Sequence, residues 1–252
     1  MTIKRKGKLY LGTSGWLYPH WQGIFYPDKL KSGKEKLVFY AKHFSTVEVN
    51  YSFYHLPQEK TYLKWKTLVP KNFLFTLKVS RYITHIKRLK EIDEAWQEFL
   101  KRAKTLKENL GPFLFQFPPS FSLKNLDNLK KLLTLLKKEK NLRFAFEFRH
   151  SSWQNKEVFS LLKKTKVALV SSHSSRWPRI ENFDLANFAY FRFHGPKELF
   201  ASNYPDKFLE EESQKIKKIL NKGKDVFVYF NNDFYGYAIK NALFLKKLLE
   251  RD

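Results

Sequence analysis

Large apolar residues recur along the chain in short runs, and within most runs they alternate with smaller or polar residues, the period-two signature of strands. Runs of this kind occupy residues 8–13, 44–50, 73–79, 113–117, 143–148, 167–172, 188–194 and 225–231. Between most of them apolar residues return at helical intervals. Ile92, Trp96, Phe99, Ala103 and Leu106 form one such stripe. Leu123, Leu126, Leu129, Leu132, Leu133 and Leu136 form another, with Ser122 placed to cap it. Further helices are predicted over 34–43, 59–69, 157–165, 209–221 and 238–250, whereas 177–185 carries little helical pattern. Strand then helix, about eight times in 252 residues, is the arithmetic of an α/β (β/α)8 TIM barrel; a doubly wound open sheet is the alternative. No Gly/Pro/Ser-rich linker divides the chain, so residues 1–252 read as a single domain.

The alternation also sorts polar residues onto one face near the C-terminal end of each strand. In FAFEFRHSSW (144–153), Phe144, Phe146 and Phe148 share one face while Ala145, Glu147 and Arg149 share the other. Glu48 and Asn50 alternate with Val47 and Val49, and Lys78 with Leu77 and Val79. Gln116 lies between Phe115 and Phe117, Arg192 and His194 flank Phe193, and Tyr229 and Asn231 flank Phe230. In a barrel the apolar face packs on the helices and the polar face lines the C-terminal mouth, where active sites of this fold lie.

Composition narrows the chemistry. Cysteine is absent, which excludes disulfides, thiolate metal sites and a cysteine nucleophile. No apolar run approaches the roughly 18 residues of a membrane span, and the basic start MTIKRKGK is followed only by LYLG, so a soluble cytoplasmic protein with no membrane partner is expected. Lys plus Arg number 48 against 24 Asp plus Glu, a formal net charge of +24 that suits an anionic partner, DNA and RNA among them. A lysine-rich surface without function produces the same balance.

Glu48 and Glu147 are candidate general acid and base, provided their pKa values are pushed apart. The competing reading is a structural ion-pair ring with Lys78, Arg149 and Arg192, and Glu147→Gln separates the two: an intact fold is expected if the acid is catalytic. Lys78 offers an amine for a Schiff base or a charge for a phosphate, with a carboxylate salt bridge as the plainer role. His194 is the best-placed proton donor, ahead of His150 and His85. The cofactor is not legible in the sequence; a divalent metal is one option, for which only Glu48, Glu147 and His194 converge, without a recognisable ligand spacing. Asn50, Tyr54, Gln116, Arg149, Trp153, Arg192, Asn231 and Asn232 are candidate substrate contacts, and the rim aromatics suit stacking as well as loop packing. Ser14, Gly15 and Gly236 sit in turns whose backbone N–H groups would suit a phosphate.

Several motifs, in order, resemble the YecE-like proteins, the family of domain of unknown function 72: LGTSGW (11–16), VEVNYSFYHLP (47–57), FTLKVSRYITH (75–85), GPFLFQFPPSF (111–121), FAFEFRHSSW, YFRFHG (190–195) and VYFNND (228–233). The resemblance spans essentially the whole chain. It implies a TIM barrel related in shape to sugar-isomerase and endonuclease-type barrels, and no settled activity. Where many relatives carry an acid after the sixth strand, this chain has Ser171, Ser172 and His173.

Three functions follow: an enzyme on a phosphate-containing, nucleic-acid-type substrate at the barrel mouth; a phosphosugar-type isomerase, lyase or hydrolase using the same ring; or a non-catalytic nucleic-acid or anion-binding protein. A basic stripe across the rim favours nucleic acid, and lysines spread over the outer helices favour a small ligand.

Overall fold

The computed structural model describes residues 6–250. Among them, eight parallel strands form a nearly closed barrel: β1 (Leu9–Thr13), β2 (Thr46–Val49), β3 (Leu74–Lys78), β4 (Leu110–Gln116), β5 (Phe144–Glu147), β6 (Ala168–His173), β7 (Phe188–Phe193) and β8 (Asp225–Phe230). Each strand pairs with its sequence neighbour, and β1 pairs with β8 from Leu9↔Val226 to Thr13↔Phe230. The β1–β2 seam is thinner, carried by a bridge between Ser14 and Glu48 and by the Gly15 N–H donating to the Glu48 carbonyl at 2.8 Å. Tyr40 helps to stitch it: its hydroxyl accepts from the Thr13 N–H at 2.8 Å and lies 3.2 Å from the Thr46 carbonyl. A side chain at Gly12 would stand 2.0 Å from that carbonyl, so the seam requires glycine there.

The helices are α1 (Gly33–His43), α2 (Tyr51–Tyr54), α3 (Glu59–Thr67), α4 (Asp93–Ala103), α5 (Leu126–Leu136), α6 (Lys156–Thr165), α7 (Asp206–Asn221) and α8 (Tyr237–Glu250). Two boundaries differ from the pattern for local reasons. Ser122 makes no side-chain cap; it precedes a single 3-10 turn, Leu123–Asn125, and the α-helix begins only at Leu126. The stripe through Leu106 leaves α-helical geometry after Ala103, where a 3-10 segment with Lys107 at φ 50° takes over. Residues 177–185 form no helix, as their pattern suggested. Among the described residues no helix is long and apolar enough to cross a membrane.

The alternation is realised in full at β5. Phe144, Phe146 and Phe148 face outward into an aromatic layer with Trp96, Phe115 and Phe117, while Ala145 joins the barrel interior. That interior is filled from below by Leu74, Leu114, Ala168, Val170, Phe188 and Phe227. Above this apolar plug the side chains become polar. The Tyr229 hydroxyl lies 2.7 Å from Thr46 Oγ1 and 2.6 Å from Thr76 Oγ1, a buried hydroxyl layer on which the charged residues rest.

Candidate active site at the barrel mouth

Arg192, from β7, lies at the centre of the charged layer and is 1 % exposed. Its Nε and Nη2 donate to Glu48 of β2 at 2.9 and 2.6 Å, a bidentate pair, and its Nη1 donates to Glu147 of β5. Ser14 donates to Glu48 Oε1 at 2.7 Å and Tyr190 to Oε2 at 2.6 Å, so both oxygens of this acid are filled. Glu147 Oε1 accepts from Arg149 Nε at 2.8 Å and lies 3.4 Å from Ser172 Oγ. Burial by itself would raise the Glu147 carboxyl, but Arg192, then Arg149 and His194, hold it well below the usual carboxylate range. Burial acts against the Arg192 charge too, and Glu147 and Glu48 hold its pKa above the ordinary arginine value.

Both acids are 0 % exposed and lie behind the cavity wall. Each of these candidate acids is engaged by a guanidinium, and together they form the floor of the site. His194 lies beside them. It is completely buried; its Nε2 sits 3.3 Å from Arg192 Nη1 and 3.6 Å from Glu147 Oε1, and its Nδ1 lies 3.0 Å from the Asn231 side-chain amide nitrogen. Burial and then Arg192 push its pKa down to about 4, against an opposing pull from Glu147, so the ring is neutral near pH 7. Arg192 also occupies the position between the acids that a cation would need, and among the described residues no group of three or more His, Asp or Glu could hold a metal ion.

The cavity above this floor encloses about 780 Å³ and is lined by Asn50, Lys78, Gln116, Arg149, Arg192 and Asn231, anticipated from the alternation, and by Tyr54, anticipated as a rim aromatic. Lys78 differs from the plain salt-bridge expectation: among the described residues it has no carboxylate partner. Its Nζ lies 3.8 Å from the centre of the Phe53 ring. Burial, then Arg192 and Arg149, lower its pKa to about 7, against a smaller opposing pull from Glu147 and Glu48. Arg149 spends only Nε on Glu147; its guanidinium lies 3.8 Å over the Trp177 ring and faces the cavity.

Five anticipated contacts lie elsewhere in the structure. Trp153 is sandwiched between Phe121 and Phe148 at 5.3 and 4.5 Å and donates to the Phe121 carbonyl at 2.6 Å, completely buried under the β5 loop. We expect Trp153→Ala to cost about 3–5 kcal/mol in urea unfolding while ligand affinity of the folded protein stays unchanged; affinity lost without stability would return Trp153 to the site. Asn232 is spent on Ser202 and Asn241, locking the β8 loop to α8. The N–H groups of Gly15 and Gly236 are taken by the Glu48 and Asp233 carbonyls, and that of Ser14 by Phe230, so none of the three cradles a phosphate through its backbone.

Tyr190, below the cavity, shares the inward face of Arg192. Other lining residues gave weak signals or none. Arg81 sits in the loop after β3, and His20 and Asp233 meet from loops 213 residues apart, so no local pattern joins them. Burial raises Asp233 to about 6 despite the Trp21 and His20 contacts. Ser171 and Ser172, where an acid was expected, bond instead to Glu181 at 2.5 Å and to Glu147. Much of the positive charge lies on the outer helices, for example at Lys130 and Lys131 of α5 and Lys163 and Lys164 of α6.

Residues 10–252 match the family described as Protein of unknown function DUF72. The chain is 31% identical over 142 residues to the UPF0759 protein YecE of Escherichia coli, covering 56% of this chain and 48% of that protein, so the match spans about half of that relative's length. It is 27% identical to the UPF0759 protein YunF of Bacillus subtilis over 96% of this chain and 95% of that one. A crystal structure of a DUF72 family protein from Thermotoga maritima superposes with a TM-score of 0.85 at 30% identity, covering 97% of this chain and all of that one.

Proposed function

Because this chain belongs to the DUF72 family, whose description carries no activity, we propose its function from the site alone: an enzyme that acts on a small phosphate-bearing substrate held in the barrel mouth. The observation that carries this reading is a surplus of cations around the cavity. Lys78 and Arg81 line it with no carboxylate partner among the described residues, and Arg149 adds the part of its guanidinium not bound to Glu147. A doubly charged phosphate would relieve this imbalance inside a low-dielectric pocket, where such pairing is strongest. The ion-pair floor supplies a fixed field and position. Lysines spread over the outer helices favour a small ligand over a nucleic-acid track by the criterion set above.

The second reading rests on its own observation. Tyr51, Tyr54, Tyr82, Phe234 and Tyr235 are exposed on the segments that follow β2, β3 and β8 at the same rim, and such rings stack on nucleobases. Calorimetric titration with inorganic phosphate, a sugar phosphate and a 5′-nucleotide, beside anisotropy of labelled duplex and single-stranded DNA, tests both. We expect the small phosphate compounds to bind and to lose roughly tenfold or more in affinity in Arg149→Ala. DNA binding should fade with salt and ignore the substitution. No binding by any phosphate compound would overturn the first reading; tight DNA binding abolished by Arg149→Ala would put the second in its place.

A further inference from the structure

We infer that Lys78 is a nucleophile whose amine adds to the carbonyl carbon of a phosphorylated aldehyde or ketone in the mouth and forms a covalent imine. This deepens the phosphate-substrate reading and rests on it. Three features of the geometry point there. Lys78 reaches the cavity wall from β3, yet the residue is only 9 % exposed, so an adduct would form away from bulk water. Neither Glu48 nor Glu147 pairs with it, because Arg192 and Arg149 have claimed both carboxylates. The two guanidiniums that deprive it of a counter-ion also disfavour its protonated form, leaving a substantial fraction as free amine near pH 7.

The Phe53 face gives the adduct somewhere to sit. A protonated iminium keeps a positive charge centred on this C=N group, beside a ring 3.8 Å from the nitrogen that attracts cations. Arg149 and Arg81 are then left for the phosphate on the far side of the carbonyl. In the step itself the nitrogen lone pair forms the C–N bond and the carbonyl π pair moves to oxygen. Protons pass from nitrogen to that oxygen, and it departs as water as the C=N bond forms: amine plus carbonyl gives imine plus water, with no oxidant or reductant. A lysine acting only as a general base would instead bind the same compounds and form no adduct.

The test uses the whole protein at pH 7 with dihydroxyacetone phosphate as probe, sodium borohydride to reduce any imine, and peptide mass mapping of every lysine. Glycolaldehyde, which lacks the phosphate, and excess inorganic phosphate are run in parallel, as is Lys78→Met. We expect Lys78 to be labelled at least about tenfold above any other lysine, since ordinary lysines are almost fully protonated at pH 7. Labelling should fall with inorganic phosphate and rise with pH through about 7. If calorimetry shows the keto-phosphate bound but Lys78 labels no more than the surface lysines, the imine is overturned and the phosphate site stands. If Lys78 labels selectively with glycolaldehyde and inorganic phosphate changes nothing, the nucleophile stands and the phosphate reading falls. Mapping the parent protein keeps both outcomes readable should Lys78→Met fold poorly.

Discussion

Arg192→Met is expected to destabilise the fold by about 3–5 kcal/mol, because it leaves two buried carboxylates without their shared cation. Glu48 would keep only the Ser14 and Tyr190 hydroxyls, and Glu147 would keep Arg149. Urea unfolding at pH 7 measures the loss. The pH dependence identifies its cause. In the parent, Glu147 has a depressed pKa, so its contribution is present above the unfolded carboxyl pKa and is lost as pH falls through the lower folded value. Without Arg192 the largest force holding Glu147 ionised disappears, and the buried acid can be accommodated by protonation. The gap between variant and parent should therefore narrow on acidification toward pH 4. A gap that stays constant with pH would mean that lost packing around the arginine stem, and not unpaired charge, accounts for the loss. The same geometry revises the expectation for Glu147→Gln: an amide cannot neutralise Arg192 and Arg149, so this variant too should be substantially destabilised even if the acid does no chemistry.

Lys78→Met should move stability in the opposite direction. The unfolded chain titrates this lysine near its ordinary value of 10.5 and the folded protein near 7. Between those limits the unfolded state holds more protons, so this group makes stability rise with pH from about 7 to about 10.5. Below 7 the lysine is charged in both states and its burial cost is felt in full. The variant should be more stable than the parent by about 2–4 kcal/mol near pH 6, with the advantage shrinking as pH approaches 10. Comparing the two proteins at each pH cancels the tyrosines and surface lysines that titrate in the same range. A variant no more stable than the parent at pH 6 would show that the site pairs Lys78 with a counter-charge, and the free amine required of a nucleophile would be lost with it. Gained stability alongside lost phosphate affinity is the pattern of a residue kept for function at the expense of the fold.

Period-two alternation sufficed to choose the faces of six of the eight strands, because in a strand the direction of a side chain is set by its own backbone and by nothing distant. From that local rule came the barrel, the aromatic outer layer of β5, and the convergence of Glu48, Lys78, Glu147, Arg149 and Arg192 on one mouth. Loop residues escaped it for the same reason: Arg81, His20 and Asp233 have no period to read, and Trp153 and Asn232 follow strands closely but fold back into the packing. The roles within the ring were a further matter. Glu48 and Arg192 meet across 144 residues of chain, and only the closed barrel determines that Arg192 sits between the two acids and leaves Lys78 unpaired. Which charges a chain brings to a cavity is written in its local pattern; which of them remain free to act depends on partners supplied by distant strands, because buried charges must be neutralised by whatever the fold places beside them.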